Sequence, residues 1–248
     1  MRLLILGGTT EASALARAVV GWTDLDPILS LAGRTENPAE PPIPFRSGGF
    51  GGVDGLKAYL TVTGIDAVVD ATHPFAAQMS AHAAAACRDL GLPLAIFTRA
   101  AWRQVPGDRW LPVATMAEAA LALGDIRRRV FLTIGVQQLA AFAEAPQHHY
   151  VIRTIDPPDA AIALPDHRLI LARGPFELDD EIALMRDERI DVLVSKNSGG
   201  KATAAKLAAA RALNIDVVMV ERPKGEDVLA FERLDAVMTW ILDQRPAP

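Results

Sequence analysis

Cysteine is almost missing from this sequence: Cys87 stands alone among 248 residues. An intrachain disulfide is therefore impossible, and a reducing cytoplasm is the expected location. Cys87 follows Ala83-Ala84-Ala85-Ala86, which reads as a small buried helix residue rather than a reactive thiol. Aromatic residues supply 6%, and 25 Lys and Arg face 30 Asp and Glu, a net charge of −5. A nucleic-acid binder needs basic stripes with stacking aromatics, and an anionic membrane needs a positive surface. Neither is an expected partner. The apolar start Met1-Arg2-Leu3-Leu4-Ile5-Leu6 stops at Gly7-Gly8, too short for a signal-peptide core, and no segment approaches a membrane span. Metal-ligand spacing is also missing: His82, His148, His149 and His167 are scattered, and no C-x-x-C, H-E-x-x-H or Ser-His-Asp arrangement occurs. No metal is expected, and His148-His149 reads as surface loop.

What is present is apolar and small. Half the residues are hydrophobic, which suits an α/β enzyme built from Ala, Val and Leu. Two distant stretches repeat one βαβ unit. Ile65–Val69 leads to a loop Thr72-His73-Pro74-Phe75, an alanine-rich helix ending at Arg88-Asp89-Leu90-Gly91, and a strand Pro93–Phe97 that closes on Arg99. Ile190–Val194 leads to Ser195-Lys196-Asn197-Ser198-Gly199-Gly200, a second alanine-rich helix ending at Arg211-Ala212-Leu213-Asn214, and a strand Asp216–Val220 that closes on Arg222. Duplication predicts two lobes with mainly parallel sheets, divided near 1–108 and 109–248. Ligands of open α/β sheets sit beyond the carboxyl ends of the strands, so the loops there are the candidate sites.

Elsewhere, Leu3–Leu6 reads as a buried strand, and Ala12, Leu15, Ala16, Val19 and Val20 form one helical stripe. Ile28–Leu31 reads as a second strand. Residues 35–44 read as irregular loop, and 99–112 as a connection without period between lobes. A helix is expected near Gln137–Ala143, and a terminal one over Asp235–Leu242.

Leu6-Gly7-Gly8-Thr9-Thr10-Glu11 joins the first strand to the first helix. Glycines there let backbone N–H groups approach a phosphate at the positive helix end, which predicts a dinucleotide site. It is not G-x-G-x-x-G, and a plain turn with a threonine cap is the alternative. Arg34 follows Gly33 at the end of the second strand, where an arginine fits a 2′-phosphate, so NADPH is the expected cofactor; a solvated surface arginine is the alternative. Gly48 and Gly49 allow close approach of a ligand at the third strand end, with a plain loop as the alternative. His73 is either a proton donor or a helix cap beside Pro74. Ser195 to Lys201 imitates a P-loop but fails it: Ser195 stands at the first glycine position, and Ala202 follows Lys201 where a hydroxyl is needed. An anion site remains, with Lys196 the stronger candidate and Lys201 a solvated helix residue.

Leu6 to Glu11, Asp70-Ala71-Thr72-His73-Pro74-Phe75-Ala76, Ser195 to Gly200 with Thr203 and Lys206, and Val218-Met219-Val220-Glu221-Arg222-Pro223 together resemble the precorrin-6A reductase family of cobalamin biosynthesis. The resemblance spans nearly the whole chain. It implies two Rossmann-like lobes that can exchange strands, and NADPH reduction of a macrocycle C=C bond to give precorrin-6B. A related branch takes the cobalt-containing substrate. On this reading the first lobe binds NADPH through Gly7, Gly8, Thr9, Thr10, Glu11, Arg34, Gly48, Gly49 and Thr72. The second binds the tetrapyrrole through Ser195, Lys196, Asn197, Ser198, Gly199, Gly200 and Arg222. Lys196 and His73 are the catalytic candidates, with water as another proton source. A monomer is expected. Another NADPH reductase is a competing reading, although Tyr59 and Tyr150 lack the Lys four residues on that a short-chain enzyme needs. A non-catalytic NADP(H)-sensing protein is a further one.

Overall fold

A computed structural model describes residues 1–33, 40–158 and 160–245. In chain order the elements are β1 (Arg2–Leu6), α1 (Thr10–Ala18), β2 (Asp26–Leu31), β3 (Phe45–Ser47), α2 (Gly52–Thr63), β4 (Ala67–Asp70), α3 (Ala77–Leu90) and β5 (Leu94–Phe97). Then come β6 (Trp110–Val113), α4 (Met116–Leu121), β7 (Arg129–Thr133), a 3-10 helix (Val136–Glu144), β8 (His149–Thr154), β9 (His167–Leu171), α5 (Leu178–Asp187), β10 (Val192–Lys196), α6 (Ala205–Ala212) and β11 (Asp216–Val220). The chain closes with β12 (Ala230–Phe231) and α7 (Leu234–Asp243).

Two compact units result: Met1–Ala100 with Pro223–Pro248, and Ala101–Arg222. The first holds a sheet of order β12-β5-β4-β1-β2-β3 and the second one of order β6-β11-β10-β7-β8-β9. Every strand pair is parallel. Both sheets have the same plan, as the duplicated βαβ pattern requires. In each, the edge strand beside β5 or β11 comes from the segment that follows the other unit's series.

That exchange is why the units differ from the contiguous division at 108/109. Ala230 and Phe231 pair with Ile96 and Phe97. Val237 and Ile241 of α7 are fully buried in the cluster that holds Leu3, Ile5 and Leu15. The C-terminal segment therefore belongs with the first unit. Trp110–Val113, which begins inside the 99–112 stretch expected to lack regular structure, instead pairs with Val217–Val220. Its Pro112 is tolerated because β6 lies at a sheet edge.

β1 is buried on both faces, which explains its unbroken apolar run. Leu3 and Ile5 face α1 and α7, whereas Leu4 and Leu6 pack with Leu56, Leu60 and Cys87 from α2 and α3. Burial of each such side chain contributes about 1.5–3 kcal/mol. In the second unit, Phe131, Val151, Leu193 and Val217 pack with Met185 of α5 and Leu207 of α6. The expected helix near Gln137 is a 3-10 helix, burying Leu139 and Phe142. His148 is not surface loop. Its ring is buried, accepts from Arg128 N at 3.2 Å and stacks edge-on against Tyr150. His149 opens β8, with Nδ1 2.6 Å from Asp166 Oδ1. No described helix is long and apolar enough to cross a membrane.

Candidate active site

In the first unit the strand order reverses between β1 and β4, so a crevice opens at their carboxyl ends. Thr9 bridges it. Its Oγ1 donates to Ala71 O at 2.7 Å, beyond β4, and accepts from Ala12 N at 3.1 Å as the N-cap of α1. The turn before it needs its glycines. A Cβ on Gly7 would lie 2.6 Å from Leu29 Cδ1, and Gly8 has φ +111°, with open space where a side chain would go. Gly7 N donates to Ser30 O at 2.8 Å. Thr10 Oγ1 meets Glu11 Oε2 at 3.1 Å. Glu11 is paired with Arg99 across 2.6 Å.

Asp70 organises the loop after β4. Its buried carboxylate accepts from Thr72 N (3.0 Å), Thr72 Oγ1 (2.7 Å) and Ser80 Oγ (2.5 Å). His73 Nδ1 accepts from Phe75 N at 3.2 Å, which places the neutral ring's proton on Nε2. The helix-cap reading of His73 fails: α3 begins at Ala77, and its cap residue, Ala76, makes no side-chain cap bond. Gly48 and Gly49 follow β3, with their carbonyls bonded to Arg46. Arg34 lies outside the described residues. Cys87 beneath this site is buried, and burial with the nearby Asp70 charge pushes its thiol up to about 12.

The second unit repeats the plan, with its reversal between β7 and β10. Thr133 Oγ1 bridges there to Val194 O at 3.1 Å. The Ser195–Gly200 loop is heavily braced. Asn197 Oδ1 accepts from Trp102 N at 2.8 Å, and its Nδ2 donates to Trp102 O and Glu221 Oε2 at 3.2 Å. Trp102 Nε1 donates to Gly200 O at 2.9 Å. Arg222 donates to Asn197 O and Ser198 O, each at 3.0 Å. Ser195 is buried with Oγ on Lys196 O at 3.2 Å, while Lys196, the last residue of β10, is half-buried. Gly199 and Gly200 have φ +69° and +84°. Lys201 is exposed as expected, but it precedes the helix: α6 starts at Ala205.

Lys206 is one of the residues that carry the family resemblance, and its surroundings give it a further role. It is 5% exposed, with Nζ 3.0 Å from Thr133 Oγ1 and 5.4 Å from the Trp102 ring. Burial lowers its pKa to about 7. The like charge of Arg153 adds to that, Glu181 opposes it, and Lys196 contributes a smaller lowering. Arg153 and Glu181 form a buried pair, with Arg153 3.7 Å over the Phe176 ring. Neither residue entered the sequence-based site. The available signal was a charged residue on an apolar face: Lys206 shares its stripe with Ala209 and Ala210, and Arg153 interrupts the buried run of β8. Among the described residues, no cluster of His, Cys, Asp and Glu could hold a metal ion.

The model of the family described as "Precorrin-6x reductase CbiJ/CobK" matches residues 2–242. A Rhodobacter capsulatus protein named precorrin-6A reductase is 49% identical over 249 residues, covering 100% of this chain and 98% of its own. A solved structure titled "CobK precorrin-6A reductase" superposes with a TM-score of 0.93 at 48% identity, covering 100% of this chain and 98% of that one. A cobalt-precorrin-6A reductase from Priestia megaterium is 27% identical over 256 residues, covering 98% of each.

Proposed function

Since the chain belongs to the precorrin-6x reductase family, we propose that it reduces a C=C bond of precorrin-6A with NADPH, giving precorrin-6B in cobalamin biosynthesis. The observation that carries this reading is 49% identity over the whole chain to a protein of that name. The metal-free substrate is preferred because the relative named cobalt-precorrin-6A reductase is far more distant, at 27%.

The first unit fits a pyridine dinucleotide. Gly8 exposes backbone to open space at the N-terminus of α1, where N–H groups and the helix dipole favour a pyrophosphate. Gly7 to Glu11, Thr72, Gly48, Gly49 and Arg34 are the residues assigned to hold it. NADPH, when bound, supplies the hydride. The chain must then orient the substrate and provide a proton. Ser195 to Gly200 and Arg222 are assigned to the tetrapyrrole, with Lys196 and Arg222 as cations for its carboxylates. The bracing of Asn197 and Ser198 holds that loop in one conformation, which supports preorganised recognition. The proton is assigned to His73 Nε2 or Lys196 Nζ, with water as the remaining source.

The decisive experiment mixes the protein, NADPH and precorrin-6A and follows nicotinamide absorbance. Oxidation that requires precorrin-6A supports the reading, whereas nucleotide binding without oxidation supports an NADP(H) sensor. His73→Ala and Lys196→Ala identify the donor through kcat. If both keep near-normal turnover, neither is the general acid. A monomer acting in the cytoplasm completes the proposal, and sedimentation checks the oligomeric state.

A further inference from the structure

Arg46, the middle residue of β3, is held as a fixed cation. Its Nη1 donates to Ser30 Oγ at 2.8 Å and Gly48 O at 2.9 Å, and Nη2 donates to Gly49 O at 3.0 Å. The guanidinium carbon lies 4.1 Å from the Phe50 ring centroid and 5.2 Å from that of Tyr59. All these acceptors are neutral, and they use only part of the guanidinium's N–H set. Among the described residues, no carboxylate pairs with Arg46. A guanidinium held in a fixed orientation with N–H groups to spare is preorganised for a phosphate, because its ordering cost is met before the ligand arrives.

Ser30 connects this cation to the glycine turn. It faces Arg46 in the β2–β3 register, and its carbonyl accepts the Gly7 N–H at 2.8 Å. One buried residue thus braces both places. β3 lies two strand spacings from β1, roughly 10 Å. A dinucleotide with its pyrophosphate on the Gly7–Glu11 turn has its adenosine half free to cross β2 toward β3. At the end of β2, Gly33 has φ +72°, and a Cβ there would come within 3.0 Å of Ser47 Oγ, so only glycine keeps the backbone this close to β3. We propose that Arg46 receives the 2′-phosphate of the adenosine ribose and makes this unit select NADPH over NADH. The inference rests on the dinucleotide reading above and assigns its selectivity to a residue outside that set.

The test compares binding of NADPH, NADH, 2′,5′-ADP and 5′-ADP to the unaltered full chain and to Arg46→Gln, Arg46→Lys and Arg34→Gln. Melting curves check the fold of each variant. Loss of a charge-assisted phosphate contact predicts that Arg46→Gln weakens NADPH and 2′,5′-ADP by roughly ten- to a hundred-fold. NADH and 5′-ADP should change less than about two-fold. Arg46→Lys keeps the charge and loses the fork, so an intermediate preference is expected and serves if the glutamine variant does not fold. Equal loss for both nucleotide classes, or a preference that only Arg34→Gln removes, overturns the assignment to Arg46. Failure of the unaltered chain to bind any of the four overturns the dinucleotide reading itself, a separate result.

Discussion

Arg99 Nη1 donates to Glu11 Oε2 at 2.6 Å, tying the end of β5 to the first turn of α1. Both side chains are mostly buried, at 17% exposure each. An acid in the first turn stabilises the helix, yet its charge opposes an anion at the same place. Arg99 cancels that charge. Arg99→Met should therefore weaken NADPH and NADH alike, by about ten-fold, without altering the preference between them. Adding Glu11→Gln should recover most of the loss, because the uncovered carboxylate is then gone. A double variant weaker than Arg99→Met alone, measured by nucleotide titration, contradicts this account.

Lys206 makes stability depend on pH. The unfolded chain keeps this proton to about 10.5, whereas the folded one releases it near 7. Between those values the unfolded state binds more protons, so stability climbs as pH rises from about 7 to about 10. The cost of burying the ammonium is fully present below that window and gone above it. Lys206→Met should raise the unfolding free energy measured in urea most at and below neutral pH, by on the order of a few kcal/mol, and flatten the climb. A variant with the original slope would place the titration elsewhere.

Arg153 and Glu181 are 7% and 2% exposed, and Arg153 Nη2 also donates to Glu181 Oε2 at 3.2 Å. Removing one partner strands the other charge in the core of the second unit. Glu181→Gln or Arg153→Met should cost about 3–5 kcal/mol in chemical denaturation. The double replacement by apolar residues should recover much of that. Strictly additive losses would mean that the two do not act as a pair.

Cys87 offers a direct probe of the first unit. Its thiol is buried, and its pKa of about 12 leaves little thiolate at neutral pH. Aromatic disulfide reagents should label it slowly in buffer and at the free-thiol rate only once the unit unfolds. Rapid labelling in the native state would show that α3 opens locally.

Local pattern made much of this protein readable. The apolar runs of β1, β4 and β10 announce strands buried on both faces, because no alternation is needed where both faces are covered. The glycine turns before α1 and after β10 stand at strand ends, where ligands of parallel sheets bind. Such features depend on residues close in sequence, so composition and spacing carry them. β6 and β12 were not legible. Both lie at sheet edges, and edge pairing, not periodicity, makes them strands.

The sequence by itself determined the α/β class, the paired βαβ series and the loops at which to look for chemistry. Tertiary structure alone decided which unit receives the terminal strand and what surrounds each charged group. Glu11 meets a partner 88 residues away, Asn197 one 95 away and Lys206 one 73 away. Those choices follow from which strands lie side by side in the sheets, and a charge's burial and partners are set by that packing rather than by its neighbours along the chain.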